Sequence, residues 1–274
     1  MFGSWKLGKI FGIDTYVHGT FWLLPLFVLL SGSGAVGLDL ALVFAVFGCV
    51  LLHELGHALA ARYYGIRTAD ITLYPIGGVA RMERMPDRPG REIAVALAGP
   101  AVNLVIAGGM FLGMLATNFV LPGSWSATDV YDQFVARLFV ANLFLAVFNL
   151  LPAFPMDGGR VFRALLSLRM TRVRATEVAV FVSGVMAFGF FALAVYTTHL
   201  TLMILAVAVF LMGKAELAQV RFTEAQKVWN QRLGELFQTA EVEPDGFTGW
   251  RFDPDRRVWT EWRNGVPLRE VRQM

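Results

Sequence analysis

Charged side chains are scarce in this chain of 274 residues: only 16% are Asp, Glu, Lys or Arg, whereas 56% are hydrophobic. Soluble domains carry about 25% charged residues, so this composition excludes an ordinary soluble domain and indicates an integral membrane protein. The formal net charge of +3 does not favour nucleic-acid binding, because the basic residues border apolar segments, where they orient membrane helices.

Cysteine is almost absent as well. With Cys49 alone, the chain forms no internal disulfide and offers no thiolate metal site, so a bound metal must be held by histidine and carboxylate side chains. A small-residue cleavage site is also missing after the first apolar run. We therefore expect no removable signal peptide.

Lysine and arginine are missing from three of the connections between apolar segments. The apolar runs predict six membrane helices, with the expected bounds Val17–Leu30, Leu38–Tyr64, Ile93–Thr117, Phe134–Leu151, Val178–Tyr196 and Leu202–Met212. The connections after the first, third and fifth segments contain no basic residue, whereas the other connections and both termini are basic. By the positive-inside rule both termini are cytoplasmic, and Arg160 and Arg163 are expected to reach the cytoplasmic headgroups.

Two histidines and a glutamate interrupt the second apolar segment, where ionisable residues are costly and rarely retained without a function. His53 and His57 are one helical turn apart and share a face, as two ligands of a tetrahedral zinc do. Glu54 lies where it can reach water at the metal. This His-Glu-x-x-His pattern is typical of zinc hydrolases; the alternative is a histidine pair hydrogen-bonded inside a packed bundle.

A third ligand should come from another segment that ends at the same depth, and the fourth segment leads into Asp157. Pro152 and Pro155 end the helix before it, and Gly158 and Gly159 let the backbone turn after it. The carboxylate can therefore point into the bundle. An N-cap role for Asp157 in the short helix that follows is the alternative, and it is compatible with metal binding.

Three motifs together resemble a known family. They are His53-Glu54-Leu55-Gly56-His57, Gly99-Pro100-x-x-Asn103, and the run Asn149–Val161 that contains Asp157. In order and spacing they are similar to the site-2 protease family of intramembrane zinc metalloproteases. We expect the minimal form of that family, without the PDZ module or CBS repeats that some relatives carry.

The resemblance implies a site and a reaction. It implies one zinc ion per chain, held by His53, His57 and Asp157, with Glu54 as the catalytic acid/base. It also implies hydrolysis of peptide bonds in the membrane segments of single-span proteins, such as anti-sigma or pro-sigma factors, in the cell membrane. Asn103 matches a family residue linked to substrate binding or transition-state support. A catalytically inactive membrane-protein binder and a membrane metal transporter are the alternatives.

The connection after the second segment predicts extended structure. Ile71–Met82 reads as two short strands about a Pro/Gly turn, which gives a small β-hairpin at the membrane surface. A helical substrate must unwind before cleavage, and an exposed strand edge can pair with the unwound segment. We therefore predict Gly77 and Gly78 as substrate-binding positions; a purely structural loop is the alternative.

The last part of the chain is polar and predicts a small cytoplasmic α+β extension. Ala215–Thr239 carries an amphipathic stripe typical of a helix. Gly249–Gly265 alternates aromatic residues between an Asp-Pro-Asp and an Asn-Gly turn, which predicts an antiparallel strand unit. The sequence thus predicts an all-α polytopic membrane protein with a six-helix core at residues 1–214, a surface hairpin, and an extension at residues 215–274.

Overall fold

The structure is a computed structural model that describes residues 3–31, 34–75, 77–86, 88–116, 130–241, 246–254, 256 and 258–272. Two units are distinguished, Met1–Val220 and Arg221–Met274. The described residues are mostly helical, with two small sheets. The helices are α1 (Leu23–Leu30), α2 (Val36–Tyr63), α3 (Pro89–Ala116), α4 (Val130–Asn149), α5 (Asp157–Leu166), α6 (Arg172–Thr197) and α7 (Leu200–Glu241).

Four helices among the described residues are long and apolar enough to cross a membrane. They are α2, α3, α6 and the part Leu200–Leu233 of α7. Two shorter apolar helical stretches, Gly19–Leu30 and Gln133–Asn149, accompany them. The chain is thus a multi-pass membrane protein, and the count of six spans stays a prediction.

The predicted first membrane helix begins later than expected. Val17 and His18 end a strand, a 3-10 turn follows at Gly19–Trp22, and α1 adds only eight residues. Alternate residues of the strand are buried, among them Ile13 and Val17, and this period of two is typical of a sheet with one covered face. In the sequence the apolar run that begins at Val17 is continuous, so the change from the strand period of two to a helical period was not recognised.

A four-stranded sheet stands where the sequence predicted a hairpin. Its strands, in spatial order, are β1 (Ser4–Ile10), β2 (Ile13–His18), β3 (Thr68–Tyr74) and β4 (Gly77–Met82). The β1–β2 and β3–β4 pairs are antiparallel, and β2 pairs with β3 in parallel. The predicted hairpin is confirmed as β3 and β4, and the two strands that extend it were not predicted.

The sheet packs against the half of α2 that carries the histidines. Ile13 of β2 and Ile71 of β3 form a buried cluster with Leu55 and Ala58 of α2. Burying the isoleucine and leucine side chains stabilises the contact by roughly 1.5–3 kcal/mol each. Because β4 is the next strand in the sheet, this packing brings β4 to the α2 residue Glu54.

A buried ion cluster fastens α5 to its neighbours. Arg163 is 0% exposed, and its guanidinium donates to Glu92 of α3 and Glu216 of α7, both with a shortest distance of 2.5 Å. Arg172 lies 3.5 Å from the other oxygen of Glu92. The expectation that Arg163 reaches the headgroups is therefore wrong, because two carboxylates hold it inside. Since Asp157 begins α5, this cluster also anchors the helix that carries Asp157.

The second unit contains the end of α7 and a three-stranded antiparallel sheet. Its strands are β5 (Gly249–Asp253), β6 (Val258–Arg263) and β7 (Val266–Arg272). The predicted strand unit is confirmed, with positive φ at both Asn264 and Gly265 in the turn, and β7 was not predicted. The predicted helix Ala215–Thr239 is not a separate element, since α7 runs through it without a break. The domain boundary after residue 214 stays a prediction.

Candidate metal centre

Three predicted ligands converge inside the helical bundle. His53 and His57 lie one turn apart on α2, and their Nε2 atoms are 3.0 Å apart. Asp157, the first residue of α5, places Oδ2 3.2 Å from His53 Nε2 and 3.1 Å from His57 Nε2. All three residues are buried and form a group able to hold one metal ion. The N-cap position of α5 is occupied by Met156, so Asp157 is not its N-cap.

The space in front of these ligand atoms exists because residue 99 of α3 is glycine. A Cβ atom added to Gly99 would lie 2.7 Å from His53 Nε2 and 2.6 Å from His57 Cε1, and it would touch His57 Nε2 as well. Zinc binds imidazole nitrogen at about 2.0–2.1 Å and accepts two His and one carboxylate with a fourth position open. The two imidazole nitrogens and the carboxylate oxygen are ligands that zinc accepts, and the space beside Gly99 leaves room for the ion.

The other nitrogen of each histidine is also engaged. His57 Nδ1 donates to the backbone carbonyl of Val95 at 2.8 Å. His53 Nδ1 lies 2.5 Å from Oδ1 of Asn103, a fully buried residue of α3. With a proton on each Nδ1, both Nε2 atoms present a lone pair toward Asp157, as metal ligands must. Asn103 thus contacts the predicted ligand His53, and its predicted substrate contact stays a prediction.

Strand β4 orients the carboxylate of Glu54. The backbone N–H of Ala80 donates to Glu54 Oε2 at 3.1 Å. Gly78 lies against the same side chain, since a Cβ there would be 2.5 Å from Glu54 Cγ. Gly77 begins the strand opposite Tyr74 with φ of 145°. Gly78 therefore lies at the predicted catalytic residue, whereas Gly77 forms the tight connection of the hairpin.

An ion pair outside the membrane-spanning helices holds β4 to β3. Arg81 of β4 donates Nε to Asp70 Oδ1 at 2.9 Å, and its Nη2 contacts Asp70 Oδ2. The hydrogen bond to the Asp70 carboxylate raises the pKa of the Arg81 guanidinium, so the arginine stays charged. This bidentate pair reinforces the position of the strand that contacts Glu54.

Replacing Gly78 by alanine is expected to lower proteolysis without loss of zinc. The added methyl group would displace Glu54 from its contact with Ala80, because the three atoms nearest to the new Cβ all belong to Glu54. We expect a drop in kcat of about 10-fold or more, since small displacements of a catalytic group are costly. Gly48→Ala on α2 is the matched control, because a Cβ there meets nothing within 4 Å. Equal rates for the two variants would contradict the close contact.

Fold and site together define a class of protein: a multi-pass helical membrane protein with a His-Glu-x-x-His helix and a distant carboxylate in one metal-binding group. The profile of peptidase family M50 matches residues 41–124 and 113–193, more than half of the chain. The chain therefore belongs to peptidase family M50, the site-2 protease family of zinc metalloproteases.

Two relatives show which proteins this chain is similar to. A zinc metalloprotease of Methanocaldococcus jannaschii is 32% identical over 216 residues, which are 78% of this chain and 60% of that one. Stage IV sporulation protein FB of Bacillus subtilis is 30% identical over 162 residues, which are 58% of this chain and 49% of that one. This chain spans about half the length of the curated relatives that it matches.

A solved structure is similar over most of the chain. The site-2 protease from Methanocaldococcus jannaschii has a TM-score of 0.57 and 30% identity, and the match covers 78% of this chain and 94% of that one. The predicted family membership is thereby confirmed. Zinc as the cofactor is confirmed by the family and by the metal-binding group of His53, His57 and Asp157. The separate roles of the site residues stay predictions.

Proposed function

We propose that this chain is an intramembrane zinc metalloprotease that hydrolyses peptide bonds in or near the membrane segments of membrane-tethered regulatory proteins. One observation carries the proposal: His53, His57 and Asp157 converge within a membrane bundle, and Glu54 follows His53 directly. The family and the names of its relatives favour a protease over an inactive membrane-protein binder or a metal transporter.

The residues of the site have two separate roles, metal binding and proton transfer. His53, His57 and Asp157 hold zinc, which when bound supplies a Lewis acid that polarises a carbonyl and lowers the pKa of water. Glu54 takes a proton from the attacking water and delivers it to the leaving amine as the peptide bond breaks. The hydrogen bond from Ala80 fixes the rotamer of Glu54, so the carboxylate needs no rearrangement before proton transfer.

An unwound substrate segment binds along β4 in this proposal. β4 is an edge strand, and the N–H of Ala80 points away from β3 toward Glu54. In an antiparallel pair the backbone groups of every second residue point to the same side, so those of Gly78 face the same edge. A substrate strand that pairs with Gly78, while Ala80 keeps its contact with Glu54, would bring its peptide carbonyls beside Glu54. Gly77, Gly78 and Asn103 are the proposed substrate-binding residues, and a purely structural hairpin is the alternative.

The membrane topology belongs to the same proposal. Six spans follow if the two shorter apolar stretches cross together with the four long helices. α4 has 20 residues and is about 30 Å long at 1.5 Å per residue, which matches the hydrocarbon core. The positive-inside rule then puts both termini in the cytoplasm. The expected substrates are single-span membrane proteins such as anti-sigma or pro-sigma factors.

Reconstitution tests the function directly. The full chain, in lipid vesicles with a single-span substrate, should cut the substrate within its membrane segment, and product masses give the position. Removal of zinc by a chelator should abolish cleavage, and added zinc should restore it. Cleavage that persists after zinc removal, or only in water-exposed loops, would contradict the proposal. Zinc flux into the vesicles without proteolysis would favour a transporter.

A further inference from the structure

A chain of buried amides leads from a backbone carbonyl to the metal centre. Asn142 of α4 is 0% exposed, and its Nδ2 donates to the carbonyl of Leu138 at 2.9 Å and to Cys49 Sγ at 3.3 Å. Its Oδ1 accepts from Asn103 Nδ2 at 3.0 Å. Asn103 Oδ1 in turn lies 2.5 Å from His53 Nδ1. Three helices, α2, α3 and α4, thus contribute to one hydrogen-bonded line.

The direction of this line is determined at its far end. The carbonyl of Leu138 can only accept, so Asn142 must present its NH2 group there and its oxygen to Asn103. Asn103 must then present its own NH2 group to Asn142 and its oxygen to His53. A carbonyl oxygen accepts from an N–H, so the proton of a neutral His53 is placed on Nδ1. A rotated amide at either position would set donor against donor or acceptor against acceptor.

We propose that Asn142 is a positioning residue of the zinc site, which acts through Asn103 to keep the Nε2 lone pair of His53 directed at the metal. His57 needs no such relay, because the Val95 carbonyl fixes its tautomer directly. His53 has an amide as its partner, and an amide can rotate. The hydrogen bond to Asn142 prevents the Asn103 amide from rotating. The inference rests on the proposed zinc ligands, and its tests measure zinc affinity and proton position rather than proteolysis.

Asn142→Leu is the first test, since leucine is similar in size and ends the relay. Asn103 can then rotate and offer its NH2 group to His53, which favours the wrong tautomer and a weaker zinc complex. We expect zinc affinity of the full chain, measured by chelator competition in detergent, to fall about 10- to 100-fold, as for other groups that orient metal ligands. Thr176→Val is the control: Thr176 is equally buried and also bonds a carbonyl four residues back, Arg172.

A double variant separates orientation from packing. In Asn103→Asp/Asn142→Leu, either carboxylate oxygen can accept from His53 Nδ1, so no rotation produces the wrong contact. We expect this variant to bind zinc at least about 10-fold more tightly than Asn142→Leu alone. A double variant no better than Asn142→Leu, or an Asn142→Leu protein with unchanged affinity, would overturn the proposal.

The wild-type chain supplies a test that does not depend on whether the Asn142→Leu variants fold. In zinc-free protein at alkaline pH, solid-state nitrogen NMR distinguishes the protonated ring nitrogen of His53, assigned by its loss in His53→Gln. We expect the proton on Nδ1, because the amide line persists without metal and its 2.5 Å contact with His53 Nδ1 is shorter than the 3.2 Å contact of His53 Nε2 with Asp157, the competing acceptor. A proton on Nε2 would overturn the assignment of Asn142, and proteolysis by the same preparation after zinc is restored would show that the proposed function stands regardless.

Discussion

Glu54→Gln is expected to abolish proteolysis and to leave zinc in place. Glutamine has the shape of glutamate, and its amide oxygen can still accept from the N–H of Ala80, so the position of the side chain is kept. It cannot take a proton from water. Loss of a general acid/base lowers the rate by about 10²- to 10⁴-fold. The comparison is the rate of cleavage of a single-span substrate in vesicles, with zinc content determined on the same preparations.

The control for this substitution is Glu224→Gln, which removes the same charge at a residue paired with Lys227 outside the metal centre. It should cut at the wild-type rate. If Glu54→Gln cuts as fast as the control, the general-base role is wrong. If it loses zinc, Glu54 helps to hold the metal, and the division of roles between Glu54 and the three ligands must change.

The metal-binding group could be predicted because each part of it follows from local chemistry. A helix of 3.6 residues per turn puts His53 and His57 on one face whatever surrounds it. The proline and glycine residues around Asp157 end one helix and start another, and charge asymmetry puts that break at the depth of the histidines. The structure brings the three side chains together. Their convergence required no knowledge of side-chain packing.

The supporting contacts could not be predicted in this way. Asn103 and Asn142 are 39 residues apart in the chain and meet only because α3 packs against α4. Residue 78 must be small because the side chain of Glu54, on α2, lies against it. A local pattern contains no information about such partners. Two isolated asparagines in apolar helices are still a usable signal, because a buried amide needs hydrogen-bonding partners inside the membrane.

The strand β2 and the continuity of α7 were missed for a different reason, since their local patterns were present but ambiguous. In β2 the alternation of Ile13 and Val17 with polar residues runs directly into the apolar Phe21 region, so hydropathy assigns the end of the strand, from Val17, to the helix that follows. In α7 the change from apolar to polar residues near Lys214 suggested an end. Gly213 lies at that point, but it does not adopt the positive φ of a C-terminal cap, and the helix continues through it to Glu241.

Gly99→Ala is expected to remove zinc, and with it all activity. The new methyl group would lie 2.7 Å from His53 Nε2 and 2.6 Å from His57 Cε1, inside the space that the ion needs. Overpacking of a buried site costs about 1–3 kcal/mol, and more where neighbours cannot move, which corresponds to roughly 5- to 100-fold or more in affinity. Gly108→Ala on the same helix is the control, because a Cβ there meets nothing within 4 Å. Chelator competition should show much weaker zinc binding for Gly99→Ala than for Gly108→Ala. Equal zinc affinities would show that His53 and His57 can move aside, and that zinc binding does not require glycine at residue 99.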